Sequence, residues 1–417
     1  MAMIDPEAIE RRLAELAALT DDEGKLRRLA FSPVLGRANA LVSGWMRQAG
    51  MDARIDAAGN VVARYEGLKP GAPALMLGSH LDTVPDAGRF DGMLGLVVAI
   101  ACVEKLAKQE RRFPFAIEVV GFGDEEGVRF GAVLAGSRAV AGSLAPASLD
   151  RQDAEGISLR DAMQAFGLDP ARIGDAARMG QDLLAYVELH IEQGPVLQQH
   201  GLALGCVSSI AGARRLLVTV DGQAGHAGTV PMAGRRDALA AAASCILAVE
   251  QISLEFGGVR TVGELAVVAG AANVIPGRVR FSVDLRAGED VRLTEAAARV
   301  ATVFDKVARD RRVQIRVQPM SQRGATACAG WMMGQIDAAI AAVQGRTLHL
   351  TSGAGHDGLF MSTITEIGMI FVRCTDGISH HPNEMATTAD IAIGADCLLR
   401  FIEAFQPPSW PNQTPSS

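Results

Sequence analysis

His80, Asp82 and Asp91 stand between two apolar runs, Ala-Leu-Met-Leu at 74–77 and the almost wholly apolar 94–103. In α/β proteins the junction where a buried strand ends and a helix begins is where sites are built. A neutral imidazole can ligate a divalent metal through one ring nitrogen while its other N–H is held by a supporting oxygen. A spacing of two residues in extended chain places His80 and Asp82 on the same side, which leaves Asp91 free to bridge metals. Taken alone, the stretch reads equally well as a capped helix start with solvated acids, so the other polar clusters must decide.

Asp-Glu-Glu-Gly at 124–127 follows the expected strand 115–122. Two adjacent glutamates at a strand end are expected to point in different directions, one to ligate a metal and its neighbour to take a proton from water that the metal acidifies. His190 closes the run 183–189, and His380 lies in Gly-Ile-Ser-His-His-Pro-Asn-Glu at 377–384, just after the apolar 369–372. Four strand ends thus each present a histidine or a carboxylate. The set His80, Asp91, Glu126, His190 and His380 mixes nitrogen and oxygen without thiolate, which suits Zn²⁺, Mn²⁺, Co²⁺ or Ni²⁺. Five ligands with one bridging carboxylate imply two metals. His381 competes with His380 for the fifth place.

Elements in a definite order are needed to bring these ends together. Helical spacing predicts helices over 4–19 and 37–49, followed by a hairpin over 53–65 with Gly59-Asn60 as its turn. A strand at 74–77, a helix at 94–108 and a strand at 114–122 make a crossover unit, which implies a mostly parallel sheet. Short helices and loops fill the region to about 180, and a strand follows over 183–193. From 214 the pattern changes to strands at 216–220, 262–268, 279–285 and 313–317 with helices at 235–251 and 293–307. That predicts a compact α+β insert, a four-stranded antiparallel sheet with two helices. Alternation resumes after 325, with strands at 348–351 and 368–373 and a last helix at 391–405. The expected fold is therefore α/β: a mostly parallel central sheet flanked by helices, formed by 1–211 and 326–417, interrupted by the insert at 212–325. The Pro-rich tail from 406 reads as disordered.

Composition bounds the partners. The 417 residues, 49% of them hydrophobic, allow a large core and about two domains. A net charge of −7 with no basic run argues against nucleic acid. The six cysteines lack CxxC spacing and read as reduced thiols packed in the core. The acidic N-terminus does not read as a signal peptide, and the apolar stretch 93–103 is about half a membrane span. A cytoplasmic protein without a membrane partner is expected.

Nine stretches together resemble one family. They are Gly-Ser-His-Leu-Asp-Thr at 78–83, Phe-Asp-Gly at 90–92, Glu-Glu-Gly at 125–127, Leu-His-Ile-Glu-Gln-Gly-Pro at 189–195, Gly-His-Ala-Gly-Thr-Val-Pro-Met at 225–232, Asn-Val-Ile-Pro-Gly at 273–277, Asp-Leu-Arg at 284–286, Ser-Gly-Ala-Gly-His-Asp at 352–357 and Gly-Ile-Ser-His at 377–380. In this order they resemble the hydantoinase and carbamoylase branch of the binuclear-metal aminoacylase and carboxypeptidase superfamily (peptidase M20-like). The resemblance implies that His80, Asp91, Glu126, His190 and His380 hold two divalent ions per subunit, with Asp91 bridging. It also implies that Asp82 orients His80 and that Glu125 is the general base. The insert becomes a lid that dimerises, carrying His226 to polarise the scissile carbonyl and Asn273 and Arg286 to hold a substrate carboxylate. Gln193 and the loop Gly353, Ala354, Gly355 and His356 line the pocket. Arg286 ends a strand whose partner is expected to begin after Asn273, so that guanidinium and amide can meet one carboxylate; otherwise Asp284 and Arg286 form a surface ion pair. His381 beside His380 departs from the family pattern, as does Gly358 after Asp357.

The activity so implied is hydrolysis of the ureido C–N bond of an N-carbamoyl-L-amino acid to the amino acid, ammonia and carbon dioxide. Allantoate amidohydrolase is the neighbouring alternative, since allantoate also sets a carboxylate beside a ureido group, and β-ureidopropionase comes next. An aminopeptidase or plain aminoacylase fits less well, because Ser-Gly-Ala-Gly-His-Asp belongs to the ureido branch. A metal-binding regulatory protein would need ligands but no base, and Glu125 supplies the base.

Overall fold

The computed structural model describes residues 4–131 and 133–408; the end of the tail, 409–417, and the first three residues, on which the disorder and leader expectations partly fall, lie outside them. The chain divides into two compact units. One comprises Met1–Ser208, Cys328–Leu350 and Gly355–Ser417, the other Ser209–Ala327 and Thr351–Ala354.

The first unit is organised by four adjacent parallel strands, in the order Ala116–Phe122, Ala74–His80, Leu183–Ile191, Ile367–Val372. Each reads as a continuous run of buried residues, save half-buried Leu184, rather than an alternation, as strands covered on both faces must. The flanks are antiparallel: the hairpin Asp52–Ile55 and Val61–Tyr65 joins on the Ala116–Phe122 side, and Leu204–Ile210 joins beyond Ile367–Val372. Because the four central strands run the same way, their C-terminal ends lie along one edge of the sheet, and the residues that follow each strand are delivered there.

The helix Met93–Lys108 packs on the strands Ala74–His80 and Leu183–Ile191 and is itself covered by Pro6–Ala17 and Thr388–Ala404. It is buried from Met93 to Val103, which is why that stretch is apolar on every side instead of amphipathic. The outer helices start at defined caps: Asp5 accepts from Glu7 N–H, Ser32 from Leu35 N–H and Thr387 from Asp390 N–H. Each fully buried Leu, Val, Ile or Phe in this layer contributes about 1.5–3 kcal/mol relative to exposure.

The second unit is an antiparallel sheet in the order Leu265–Val268, Arg278–Ala287, Gly212–Asp221, Gln314–Arg323, covered by the helices Ala238–Phe256 and Asp290–Arg311. Along Arg278–Ala287 the buried residues are Val279, Phe281, Val283, Leu285 and Ala287, with polar residues between, the period of a sheet packed on one face. Among the described residues the sheet has five strands, not the expected four. The expected strand over 262–268 is shortened to Leu265–Val268, opposite Arg278–Phe281, and a separate strand before it, Val259–Thr261, pairs opposite Asp284–Arg286, with Gly263 in the gap. A glycine in a strand marks such an interruption. Among the described residues the helix Ala238–Phe256, not the 93–103 stretch, is the one long and apolar enough to span a membrane by length and composition. Its Ala238, Ala241, Ala242, Cys245, Val249 and Ile252 are buried in the core of this unit.

Candidate active site

Residues from the four parallel strand ends converge on Asp91. His80 closes Ala74–His80 and is buried; its Nδ1 lies 2.9 Å from the main-chain carbonyl of Asp82. A carbonyl can only accept, so Nδ1 carries a hydrogen, and when the ring is neutral its lone pair lies on Nε2. His190, also buried, repeats the device, with Nδ1 2.9 Å from the Ile191 carbonyl and Nε2 3.2 Å from Asp91 Oδ1. His80 Nε2 is 3.9 Å from the same Asp91 oxygen. On the other side His380 Nε2 lies 3.1 Å from Asp91 Oδ2 and 3.6 Å from Glu126 Oε1. Donor atoms of His80, Asp91 and His190 form one group within 4.8 Å of one another, and those of Asp91, Glu126 and His380 form a second. Asp91 belongs to both.

The turn after Ala116–Phe122 sets the glutamates. Asp124 takes a left-handed backbone (φ 58°) and Gly127 another (φ 63°), so the chain no longer alternates as a strand would. The carboxylates of Glu125 and Glu126 therefore do not point apart, as expected from sequence; both approach His80 to within 4.8 Å. Asp82 fixes this turn. Its Oδ1 accepts from Glu125 N–H (3.0 Å) and its Oδ2 from Glu126 N–H (3.1 Å), while its carboxylate stays 4.0 Å from His80 Nδ1. Asp82 thus orients His80 through its carbonyl, and its carboxylate holds the two glutamates.

Gly92 makes the approach of Asp91 possible. Its φ is +70°, and a Cβ there would lie 2.5 Å from the His80 ring. The side-chain amide of Gln193 donates to both Asp91 oxygens (3.2 and 3.1 Å) and to Ser379 Oγ (3.2 Å). His381 points elsewhere: it is exposed and its Nδ1 accepts from Asn383 N–H, so His380 is the member of the pair that joins the cluster. His356 is buried with its ring edge-on to His190, centroids 4.5 Å apart.

The electrostatics are those of a site short of positive charge. Burial alone would lower His80, but Glu125, Asp91, Asp82 and Glu126 outweigh it and raise its pKa well above that of an ordinary imidazole. Burial raises Glu125 well above the usual carboxylate range and lifts Glu126 to about 7, with neighbouring carboxylates adding to both. His190 is lowered, chiefly by burial. Its Nε2 is buried without a hydrogen-bond partner, a lone pair facing a carboxylate oxygen. A cation between them satisfies both, and the oxygen and nitrogen donors suit a divalent transition ion. The residues fit a metal.

Three supporting residues lay beyond sequence reasoning. Arg28 is wholly buried, donating from Nε to the Leu81 carbonyl (2.6 Å) and from Nη1 to the Leu16 and Leu19 carbonyls (2.7 and 3.0 Å); burial pulls its pKa down to about 10, against Asp82 and Asp21. Glu188, two residues before His190 on the same strand, accepts from Ser79 Oγ (3.2 Å) and Tyr186 Oη (3.0 Å). Glu384 accepts from Phe90 N–H and Asp91 N–H. Glu384 closes the 377–384 stretch, so its place in that motif was the available signal; nothing local marks the other two.

Of the remaining sequence candidates Gly355 begins the last segment of the first unit, and the others lie in the second. Gly225–His226 pairs with Val274–Ile275, and Ala227 N–H donates to the Asn273 carbonyl, so exposed His226 and exposed Asn273 share one short ribbon. Arg286 is on a different strand system: the partners of Arg278–Ala287 are Gly212–Asp221 and the 259–268 segments, not a strand beginning after Asn273. Eight residue steps from Arg278 to Arg286 at about 3.3 Å each place Arg286 roughly 25 Å along the strand from the end nearer Asn273. The expected joint clamp is therefore not formed within one chain. Arg286 instead pairs two-pronged with Asp284 (3.1 and 3.2 Å) and donates to the Gly353 carbonyl (2.5 Å). Three of the five guanidinium hydrogens are so used, leaving two. Ala354 N–H, beside Gly353, donates to Ser352 Oγ.

A mixed α/β fold with a carboxylate-bridged histidine cluster at one edge of a parallel sheet defines a class of metallohydrolase. The model of peptidase family M20/M25/M40 matches residues 76–404, and the chain belongs to that family. It is 42% identical over 402 residues (96% of this chain, 98% of the other) to an N-carbamoyl-L-amino acid amidohydrolase of Geobacillus stearothermophilus. It is 38% identical over 427 residues (94% and 87%) to a probable allantoate deiminase of Oryza sativa subsp. japonica. Among solved structures, a hydantoinase/carbamoylase family amidase from Burkholderia multivorans matches with a TM-score of 0.90 at 32% identity, covering 96% of this chain and 97% of the other.

Proposed function

We propose that the chain is a metal-dependent amidohydrolase that cleaves the ureido C–N bond of N-carbamoyl-L-amino acids, releasing the amino acid, ammonia and carbon dioxide. The observation that carries the reading is Asp91, which belongs to both donor groups, with Oδ1 toward His190 and Oδ2 toward His380. His80 and His190 with Asp91 would hold one divalent ion, and Glu126 and His380 with Asp91 a second; Zn²⁺, Mn²⁺, Co²⁺ and Ni²⁺ suit the donors. Bound ions of this kind supply Lewis acidity for the carbonyl and for water.

The chain's own residues do the rest. Glu125, buried against the cluster, accepts the proton of the attacking water and returns it to the departing nitrogen. Asp82 holds Glu125 and Glu126 by their amides, so the base and a ligand keep their relative places. The two remaining Arg286 hydrogens form a fork for the substrate carboxylate. His226 polarises the ureido carbonyl and Asn273 assists it, while Gln193 and Gly353, Ala354, Gly355 and His356 line the pocket. Since His226 and Asn273 share a ribbon about 25 Å along the chain from Arg286, one site draws on the lids of two subunits. The 209–327 unit is then a lid and dimerisation element, and the exposed Leu247, Leu254, Leu265 and Val268 give a homodimer apolar surface. The six buried free thiols suit a reducing, cytoplasmic setting.

The relative at 42% identity favours carbamoyl amino acids over allantoate. Steady-state assay of the chelated and metal-reconstituted chain against a panel of N-carbamoyl-L-amino acids, N-carbamoyl-β-alanine and allantoate decides. Ammonia with free α-amino acid supports the reading, turnover of allantoate alone moves the assignment to the second relative's activity, and full activity after rigorous metal removal sinks it.

A further inference from the structure

Glu384 is buried, yet it takes no part in the hydrolysis described above. Its Oε1 accepts from two consecutive main-chain amides, Phe90 N–H (2.9 Å) and Asp91 N–H (3.0 Å), and its Oε2 accepts from Ser379 Oγ (2.9 Å). Ser379 Oγ in turn accepts from Gln193 Nε2, whose amide also donates to both carboxylate oxygens of Asp91. The bonds close a ring: Asp91 main chain, Glu384, Ser379, Gln193, Asp91 side chain.

Two features show that the ring constrains the loops it joins. His380, next to Ser379, has φ +55°, a left-handed backbone uncommon outside glycine though less so for histidine than for most residues; Glu384 N–H to the His381 carbonyl (3.0 Å) closes the turn on its far side. Gly88 lies flat against Glu384, so that a Cβ there would be 2.2 Å from Glu384 Cβ and 2.4 Å from its Oε1. Only glycine allows the carboxylate to reach the amides from that side.

Resting on the metal reading above, we infer that Glu384 is a positioning residue that ties the Asp91 main chain to the loop carrying His380 and thereby sets the affinity of the site for divalent ions. The tie works through hydrogen bonds and not through charge: an oxygen for the two amides and any polar partner for the Ser379 hydroxyl suffice. Supporting partners of metal ligands typically change affinity by about 10- to 100-fold when removed, and Asp91 enters both donor groups, so both ions feel the loss.

The test is chelator competition for Zn²⁺ or Mn²⁺ on the metal-free full-length chain, with thermal melting of the same metal-free samples as a control for folding. Glu384→Ala is expected to weaken metal binding about 10- to 100-fold. Gly88→Ala, which displaces Glu384 without altering it, should weaken binding in the same direction. Ser379→Ala cuts only the tie to the His380 loop and should cost several-fold. Glu384→Gln keeps an oxygen for the two amides and an N–H for Ser379 Oγ, and should stay within about threefold of the unaltered chain. Wild-type affinity in a cooperatively melting Glu384→Ala overturns the inference, as does Glu384→Gln failing as badly as Ala. If Glu384→Ala does not fold, undiminished affinity in both Gly88→Ala and Ser379→Ala overturns it. Failure of the unaltered chain to bind Zn²⁺ or Mn²⁺ at all would instead remove the metal reading on which the inference stands.

Discussion

Replacing Asp82 by Asn isolates the job of its carboxylate. In the native turn each oxygen takes one amide hydrogen, Glu125 N–H at 3.0 Å and Glu126 N–H at 3.1 Å, and the side chain is buried. Asparagine offers one oxygen and one NH₂, so one of the two amides must face another donor. The change removes a hydrogen bond to a charged group, worth about 1.5–3 kcal/mol, and strands a buried N–H at a cost of about 1–3 kcal/mol. The carbonyl of residue 82 is unaltered, so the tether on His80 Nδ1 survives. If the first of these losses falls on the placement of Glu125, kcat drops about 10- to 200-fold with KM little changed. The assay is initial-rate ammonia release from an N-carbamoyl-L-amino acid, with metal content measured on the same samples so that rates are compared at equal occupancy. A fully metallated Asp82→Asn enzyme with native kcat would refute the idea that this carboxylate holds the glutamate turn.

Further outcomes follow from the same geometry. Glu125→Gln should keep its metals and lose about 10²- to 10⁴-fold in rate, whereas Glu126→Gln should lose metal; the reverse pattern by elemental analysis would exchange the roles. Asp91→Asn should lower the number of ions bound per chain below one, since both donor groups share Asp91; retention of two ions by the variant would break the bridging assignment. Arg28→Met strands the carbonyls of Leu16, Leu19 and Leu81 and should destabilise the fold by about 2–4 kcal/mol, read as a lowered denaturation midpoint; an unchanged midpoint would show that those bonds contribute nothing net. For the lid, co-expressed Glu125→Gln and His226→Ala chains should recover about a quarter of native activity if half the dimers are mixed and half their sites are intact, while no recovery in a verified hybrid would confine His226 to its own subunit.

The parallel core was legible because its strands are mostly apolar, interrupted only by single polar residues such as Glu118 and Glu188, and each leads to a polar residue type that carries chemistry: His80 after 74–79, Glu125 and Glu126 after 116–122, His190 near the end of 183–191. Where alternation or propensity was the only guide, reading stopped short. Leu204–Ile210, Leu-Gly-Cys-Val-Ser-Ser-Ile, carries no period and went unread, yet pairs with Ile367–Val372. The glutamates were expected to diverge because strand geometry was carried one residue too far; the left-handed Asp124 turns both inward. Arg286 and Asn273 looked adjacent because a strand's length is invisible until its pairing is known. Arg28 and Glu384 act on amides and carbonyls distant in sequence, such as Leu81 and Asp91, and no local pattern encodes such partners.

The central claim, hydrolysis of a ureido bond by Glu125 beside a cluster built on Asp91, is met most directly by one comparison. Ammonia and free amino acid are measured from an N-carbamoyl-L-amino acid with the unaltered chain and with Glu125→Gln, both reconstituted to the same measured content of one divalent metal. Release of both products in equal amounts by the unaltered chain, with the variant slower by at least about 100-fold, is the predicted result; equal rates in the two, or no ammonia from the fully metallated unaltered chain, would contradict it.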